Sequence, residues 1–348
     1  MYDPENKNTE HIPKAFVRKI WVIAGVVSLL VILLFFLKIL FSTLMLVLAG
    51  VLLAIYFIAS AHLVQKLIRS YKWSMAIAIL VNILLFVAFF WFVGARLETQ
   101  VEELSNKLPQ TIEHAKDQLN QSSVGRRVLS TLQSSGDAQK TTTIARKFFS
   151  SSFGLLSDIY IILLLALFFI ASPSVYKKGF IHLMPPAAKD KAVEILDSIQ
   201  KTLKNWILGK IAGFFFVTVF TAIALWMLGM PLILTLALIA GLLNLIPNFG
   251  PIIALIPAVL FALMEGGNMV LWIIILYTVI QIIQSAVTQP LIQQKMVKVP
   301  PAVVLFAQVA MGLISGFWGV LLATPVVVII MKVVNKLYVS RQSVNKFD

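Results

Sequence analysis

NLIPNFGPIIALIP, residues 244–257, decides how the chain is read. It lies inside a segment apolar enough for hydrocarbon, yet it holds Pro247, Gly250, Pro251 and Pro257. Proline has no amide proton and clashes with the preceding turn of a helix. Glycine is disfavoured in a helix by about 1 kcal/mol relative to alanine. A helix broken in hydrocarbon leaves backbone groups that no water can satisfy, so the break must be buried in protein or line a wet cavity. Discontinuous helices at mid-membrane are also where transporters place their binding sites. The alternative is a tight turn outside the membrane between two short spans. Nothing in the stretch carries enzyme chemistry.

Composition sets the class. Of 348 residues, 59% are hydrophobic and 13% charged, where a soluble domain is nearer one quarter charged. The expected fold is an all-α polytopic membrane protein with about eight transmembrane helices, some of them broken or re-entrant hairpins. The net charge of +14 would suggest nucleic acid in a soluble protein. Here the lysines cluster beside apolar runs, so positive-inside topology and anionic lipid headgroups account for them and no nucleic acid is expected. The absence of cysteine excludes disulfides and thiolate metal sites, and no cofactor is expected.

The order along the chain follows from its apolar runs. Residues 1–19 form a polar tail, and 20–95 hold three transmembrane helices, over 20–40, 41–60 and 74–95, with Lys38 marking the first turn. Residues 96–152 leave the membrane. There Leu97, Val101, Leu104, Leu108, Ile112, Ala115 and Leu119 make one apolar stripe on a helix, free to cover bilayer, spans or a neighbouring subunit. Residues 153–172 are the fourth span. The segment 173–210 is lysine-rich, with Val193, Leu196, Ile199, Leu203 and Trp206 on one face, the pattern of an interfacial amphipathic helix. The core is 211–338, with a span at 211–228, two apolar arms in 231–264 around the broken stretch, a span at 268–286, and two more arms from 301 broken at 315–319. Residues 339–348 are a basic tail.

Charge orients these pieces. Lysine and arginine near span ends place the N-terminal tail, the 62–73 loop, the 173–210 segment, the 289–299 loop and the C-terminal tail in the cytoplasm, and 96–152 outside. Two units then appear in opposite orientation, each a full span followed by a broken pair of arms. Gly250, Ala254 and Pro257 in the first are echoed by Gly319, Ala323 and Pro325 in the second. Inverted repeats of this kind meet at a midplane binding site. The breaks around Asn248 and around Gly316 would approach each other, with a solute path lined by Asn244, Asn248, Gln281 and Gln284. An intramembrane carboxylate is the usual ion carrier; Asp158 and Glu265 are the acids near span depth, both close to a membrane edge.

NWILGK at 205–210, the run 228–263 with its Ile-Pro-x-x-Gly-Pro element, QPLIQQKMVKVPP at 289–301 and GFWGVLLATPVVV at 316–328 resemble the autoinducer-2 exporter family of membrane transporters. The resemblance covers nearly the whole chain and implies transport of a small solute or ion in a bacterial inner membrane, by a homo-oligomer. Family members include exporters of the signal autoinducer-2 and sodium/proton antiporters. Many relatives carry an acid where this chain has Gln284, which weakens ion coupling through that position.

Enzyme and scaffold are the rival classes. The histidines at 11, 62, 114 and 182 have no metal-ligand spacing, and no Gly-x-x-x-x-Gly-Lys phosphate loop occurs. Ser315 has no histidine within a span to act as its base. A scaffold has no need of Asn244, Gln281 and Gln284 at membrane depth, although each could simply bond a neighbouring helix.

Overall fold

The computed structural model describes residues 14–92, 157–293 and 299–339. In chain order the helices are α1 (Lys14–Val64), α2 (Tyr71–Phe92), α3 (Ser157–Ala171), α4 (Pro173–His182), α5 (Lys189–Met227), α6 (Ile233–Leu243), α7 (Phe249–Glu265), α8 (Gly267–Gln293) and α9 (Pro301–Val334). A 3-10 turn at Pro186–Ala188 precedes α5, and a π turn at Asn335–Val339 follows α9. The amphipathic stripe from Leu97 to Leu119, the rest of residues 93–156 and both chain ends lie outside the described residues.

The chain is an all-α polytopic membrane protein. Five described helices, α1, α2, α5, α8 and α9, are long and apolar enough to cross a bilayer, although α9 folds back at Gly316, and α3 with α4 makes a sixth if that bent pair is one span. That is fewer than the eight expected, and α1 is one reason. The expected turn at Lys38 does not form: α1 is one helix of 51 residues. Between Gly25 and Gly50 there is neither glycine nor proline, and a single lysine does not stop a helix. At 1.5 Å per residue the rod is about 76 Å long, over twice the hydrocarbon thickness. The runs 20–40 and 41–60 are two halves of it. The turn that would have returned the N-terminal tail to the cytoplasmic side is therefore missing.

The lysine-rich segment feeds into the following span without a break. α5 continues for 39 residues, from the lysine-rich segment straight through Lys210 into the apolar part. The stripe on its first half does not lie on lipid throughout. Leu203 and Trp206 are buried against Met45, Ala49 and Leu52 of α1, Ile162 of α3 and Leu322 of α9, since three apolar helices remove more of their surface from water than a headgroup layer does.

The remaining core is built from α5, α6, α7 and α8. Ala254, Ala258 and Ala262, spaced by four, bring α7 close to its neighbours, with Leu225, Leu236, Phe261 and Ile273 filling the space between. At α6, a Cβ on Gly241 would lie 2.0 Å from Thr218 Oγ1 and 2.9 Å from the Phe214 carbonyl, so α5 and α6 touch backbone to side chain there.

α6 and α7 form a hairpin, and so does α9. A Cβ on Gly250 would sit 1.9 Å from the carbonyl oxygen of Leu243, seven residues back, a distance no continuous helix allows. Gly319 stands in the same relation to Met311, at 2.0 Å. The turns carry a left-handed residue each, Asn248 (φ 66°) and Gly316 (φ 59°). α6 has 11 residues, about 16 Å, too short to cross a membrane.

The prolines divide into two kinds. Pro247 lies in the first turn, and Pro251 falls in the opening turn of α7, where an amide proton has no partner to lose. Pro257 and Pro325, expected among the breaks, sit inside α7 and α9 instead. Each removes one helical hydrogen bond; Pro325 is fully buried, and Pro257 stands between the buried Ala254 and Ala258.

Candidate functional site

The polar groups of the core converge on the first break. α6 ends at Leu243, and Asn244 behind it is buried. Gln284 of α8 donates Nε2 to Asn244 Oδ1 at 2.8 Å. Lys210 of α5 donates Nζ to the Asn244 carbonyl at 3.4 Å and stands 6.0 Å from the centre of the Trp206 ring. A cation at the carbonyl end of a short helix matches the negative end of its dipole. Lys210 makes no ion pair with any described carboxylate. It was legible in the sequence only as one of the interfacial lysines.

Beside this cluster lies a small cavity of about 20 Å³, room for one water. Thr221 of α5, Asn244, Pro251 of α7 and Tyr277 and Gln281 of α8 line it. Two buried polar atoms nearby have no partner among the described residues, the Tyr277 hydroxyl and Gln284 Oε1. Native proteins satisfy nearly all such atoms with protein or water, so these two are open to a water or a solute.

Asn248 is part of a different contact. Its Nδ2 donates to Oε1 of Gln308 at 2.8 Å, and Gln308 Nε2 donates to the Pro247 carbonyl at 2.7 Å. Gln308 is fully buried in the first arm of α9, so one amide clamps the tip of the first hairpin onto the second. The signal in the sequence was a lone amide in the apolar run PAVVLFAQVAMG.

The second break has its own partners. Ser315 Oγ lies 3.0 Å from Ser42 Oγ of α1, and Trp318 Nε1 donates to Asp158 Oδ2 of α3 at 2.7 Å. Among the described residues no hydrogen bond joins the two breaks directly. The two expected acids stay apart from the polar cluster: Asp158 serves the second break, and Glu265 is exposed at the end of α7. Asn244, Gln281 and Gln284 come together, whereas Asn248 reaches Gln308.

A family model described as AI-2E family transporter matches residues 23–339. The chain belongs to the AI-2E transporter family. Similar proteins include "Putative transport protein YrrI" of Bacillus subtilis, 31% identical over 149 residues, 43% of this chain and 42% of that protein. The similarly described YueF of Bacillus subtilis is 24% identical over 185 residues, 52% of this chain and 50% of YueF. A transport protein of Borreliella burgdorferi described in like terms is 24% identical over 223 residues, 63% of this chain and 61% of that one. The matched region thus spans about two fifths to three fifths of each of these relatives. The AI-2E match takes in both hairpins and the polar cluster at the first.

Proposed function

We propose that the chain is a secondary or facilitative transporter that exports or exchanges a small solute or ion through the polar cluster at the first break. The observation that carries this is that Thr221, Asn244, Tyr277 and Gln281 line one small cavity, with Gln284 and Lys210 bonded to Asn244 beside it, inside a predominantly apolar core. Polar groups at such depth are expensive and mark pathways. Similarity to described transport proteins agrees with it. Autoinducer-2 export is the specific form that the family resemblance suggests. The protein would act in the bacterial inner membrane as a homo-oligomer; a neighbouring copy would cover part of the exposed N-terminal half of α1, which is longer than one bilayer can shield.

Flux into proteoliposomes under imposed sodium and proton gradients tests this. Gln281 lines the cavity but holds no hydrogen bond to a described residue, so Gln281→Leu should spare folding and lower flux about tenfold, a loss of one 1.4 kcal/mol increment. Ion exchange without organic solute would support the second reading, a sodium/proton antiporter. Against it stands the separation of Asp158 and Glu265 from the cluster. No flux of any kind from well-folded protein would leave a membrane scaffold.

A further inference from the structure

One end of the bundle gathers bases and large apolar side chains from two distant stretches of sequence. Gly50 of α1 packs against Ile162, Leu165 and Ala166 of α3. Further along, the cluster on Phe57 and Ala61 takes in Met75 of α2 and Ile170 of α3. The end of α1, the start of α2 and the end of α3 therefore lie together. The α1–α2 turn emerges beside the point where α3 bends by 86° into α4. At that angle α4 leaves the direction of α3 and lies across this end of the bundle.

The turn is a built structure. Ser74, fully buried, donates Oγ to the Ile68 carbonyl at 2.9 Å, and the Ile68 amide bonds Val64 O at 3.0 Å. It presents Lys66, Arg69 and Lys72, spaced by three and all exposed. α4 adds exposed Lys178, while its neighbour Lys177 is paired with Asp197. Those four bases make no ion pair with a described carboxylate. No acidic residue occurs in residues 60–92 or 171–189. Between the bases stand Leu67, Trp73, Phe180 and Leu183, exposed by 87%, 68%, 48% and 80%.

We propose that the α1–α2 turn and α4 together form a platform for anionic phospholipid headgroups. Cationic side chains with no acid to answer them require an anion. Large apolar and aromatic side chains alternating with them require the acyl boundary just beneath it. A water-facing acidic protein would satisfy the bases and leave the leucines wet; a bilayer surface satisfies both.

Native mass spectrometry of the purified full chain, offered phosphatidylglycerol or phosphatidylcholine in micelles, reads the platform directly. The unaltered protein should retain phosphatidylglycerol several-fold over phosphatidylcholine. The combined Lys66→Gln, Arg69→Gln, Lys72→Gln and Lys178→Gln variant should lose that preference. Arg69→Gln and Lys178→Gln alone should each lose part of it, which keeps the test valid if the fourfold variant does not fold. An unchanged preference in these variants overturns the proposal. So does an equal loss in Lys201→Gln/Lys204→Gln, two exposed bases of α5 outside the platform, because net charge alone would then set it. Displacement of the lipid by excess inorganic phosphate would also overturn it, since a free anion and not a headgroup would then be the ligand.

Discussion

Gly250 and Gly319 occupy matching places in two hairpins that share almost no other sequence. Each is the residue at which the returning arm meets the carbonyl that ends the entering arm, and at each a Cβ would come within about 2 Å of backbone oxygen. Backbone cannot swing aside as a side chain can, so overpacking here has no inexpensive relaxation. Gly250→Ala and Gly319→Ala should each destabilise the protein by about 3 kcal/mol. Gly25, in the exposed half of α1 with nothing within 4 Å of its would-be Cβ, is the contrast. Gly25→Ala should leave stability unchanged or raise it by about 1 kcal/mol through helix propensity. Thermal unfolding of the three variants in one detergent measures the difference, and equal effects would mean the hairpin arms are not as close as described. At the same scale, Asn244 and Gln284 could be picked out of the sequence because amides in an apolar run are conspicuous. Their bond to one another could not, since nothing local ties positions 40 apart. Lys210 is not conspicuous because many other lysines and arginines flank spans in the same way.

The elements were legible where backbone chemistry is local. Gly and Pro around 247–251 and Gly at 316 and 319 place the two hairpin turns, because a left-handed residue or a missing amide proton acts within one turn of helix. Length was less legible. Lys38 suggests a turn, but with no glycine or proline between Gly25 and Gly50 nothing breaks the helix, and α1 runs through. Pro257 and Pro325 show the converse, a breaker overridden by packing. Alignment of the second hairpin with its neighbours was not legible at all. It is set by Ser42–Ser315 and Asp158–Trp318, pairs 273 and 160 residues apart. The role of Asp158 follows from that geometry. Its oxygen accepts the Trp318 indole proton, and an asparagine oxygen can accept it equally well. Asp158→Asn should keep near-normal flux, whereas Asp158→Ala and Trp318→Phe should lower it together by loosening the hairpin. Loss of ion exchange in Asp158→Asn with Trp318→Phe unaffected would make the carboxylate an ion carrier instead.

Across the whole molecule, two ties join the elements at the basic end, where Lys177 of α4 also pairs with Asp197 of α5. At one, Glu194 of α5 holds Lys191 and Lys336 of the π turn, joining the start of α5 to the end of α9. The hydrogen bonds from Lys191 and Lys336 hold its carboxyl down at about 2 against an ordinary 4.5. A depressed carboxylate stabilises the folded state fully above its unfolded value, and the contribution fades as the pH drops from about 4.5 towards 2. The site is solvent-exposed, so Glu194→Gln should lower Tm only slightly at pH 7, and the gap should close in acid and in high salt. The other tie is the packing of α1, α2 and α3 that brings the α1–α2 turn beside α4. It changes what orientation can be tested. Charge alone places residues 62–73 and 173–210 on one side as two separate inferences, and the packing makes them a single one. The chain has no cysteine, so introduced thiols report without background. Cysteines at Ser70 and Ala188 should react alike, both shielded from impermeant thiol reagents in intact cells if the basic end is cytoplasmic. A cysteine at Ser134, beyond α2, should be labelled from outside. Labelling of both Ser70 and Ala188 positions from outside would invert the orientation and keep the fold. Labelling of one without the other would break the shared end itself, and with it the lipid platform built there.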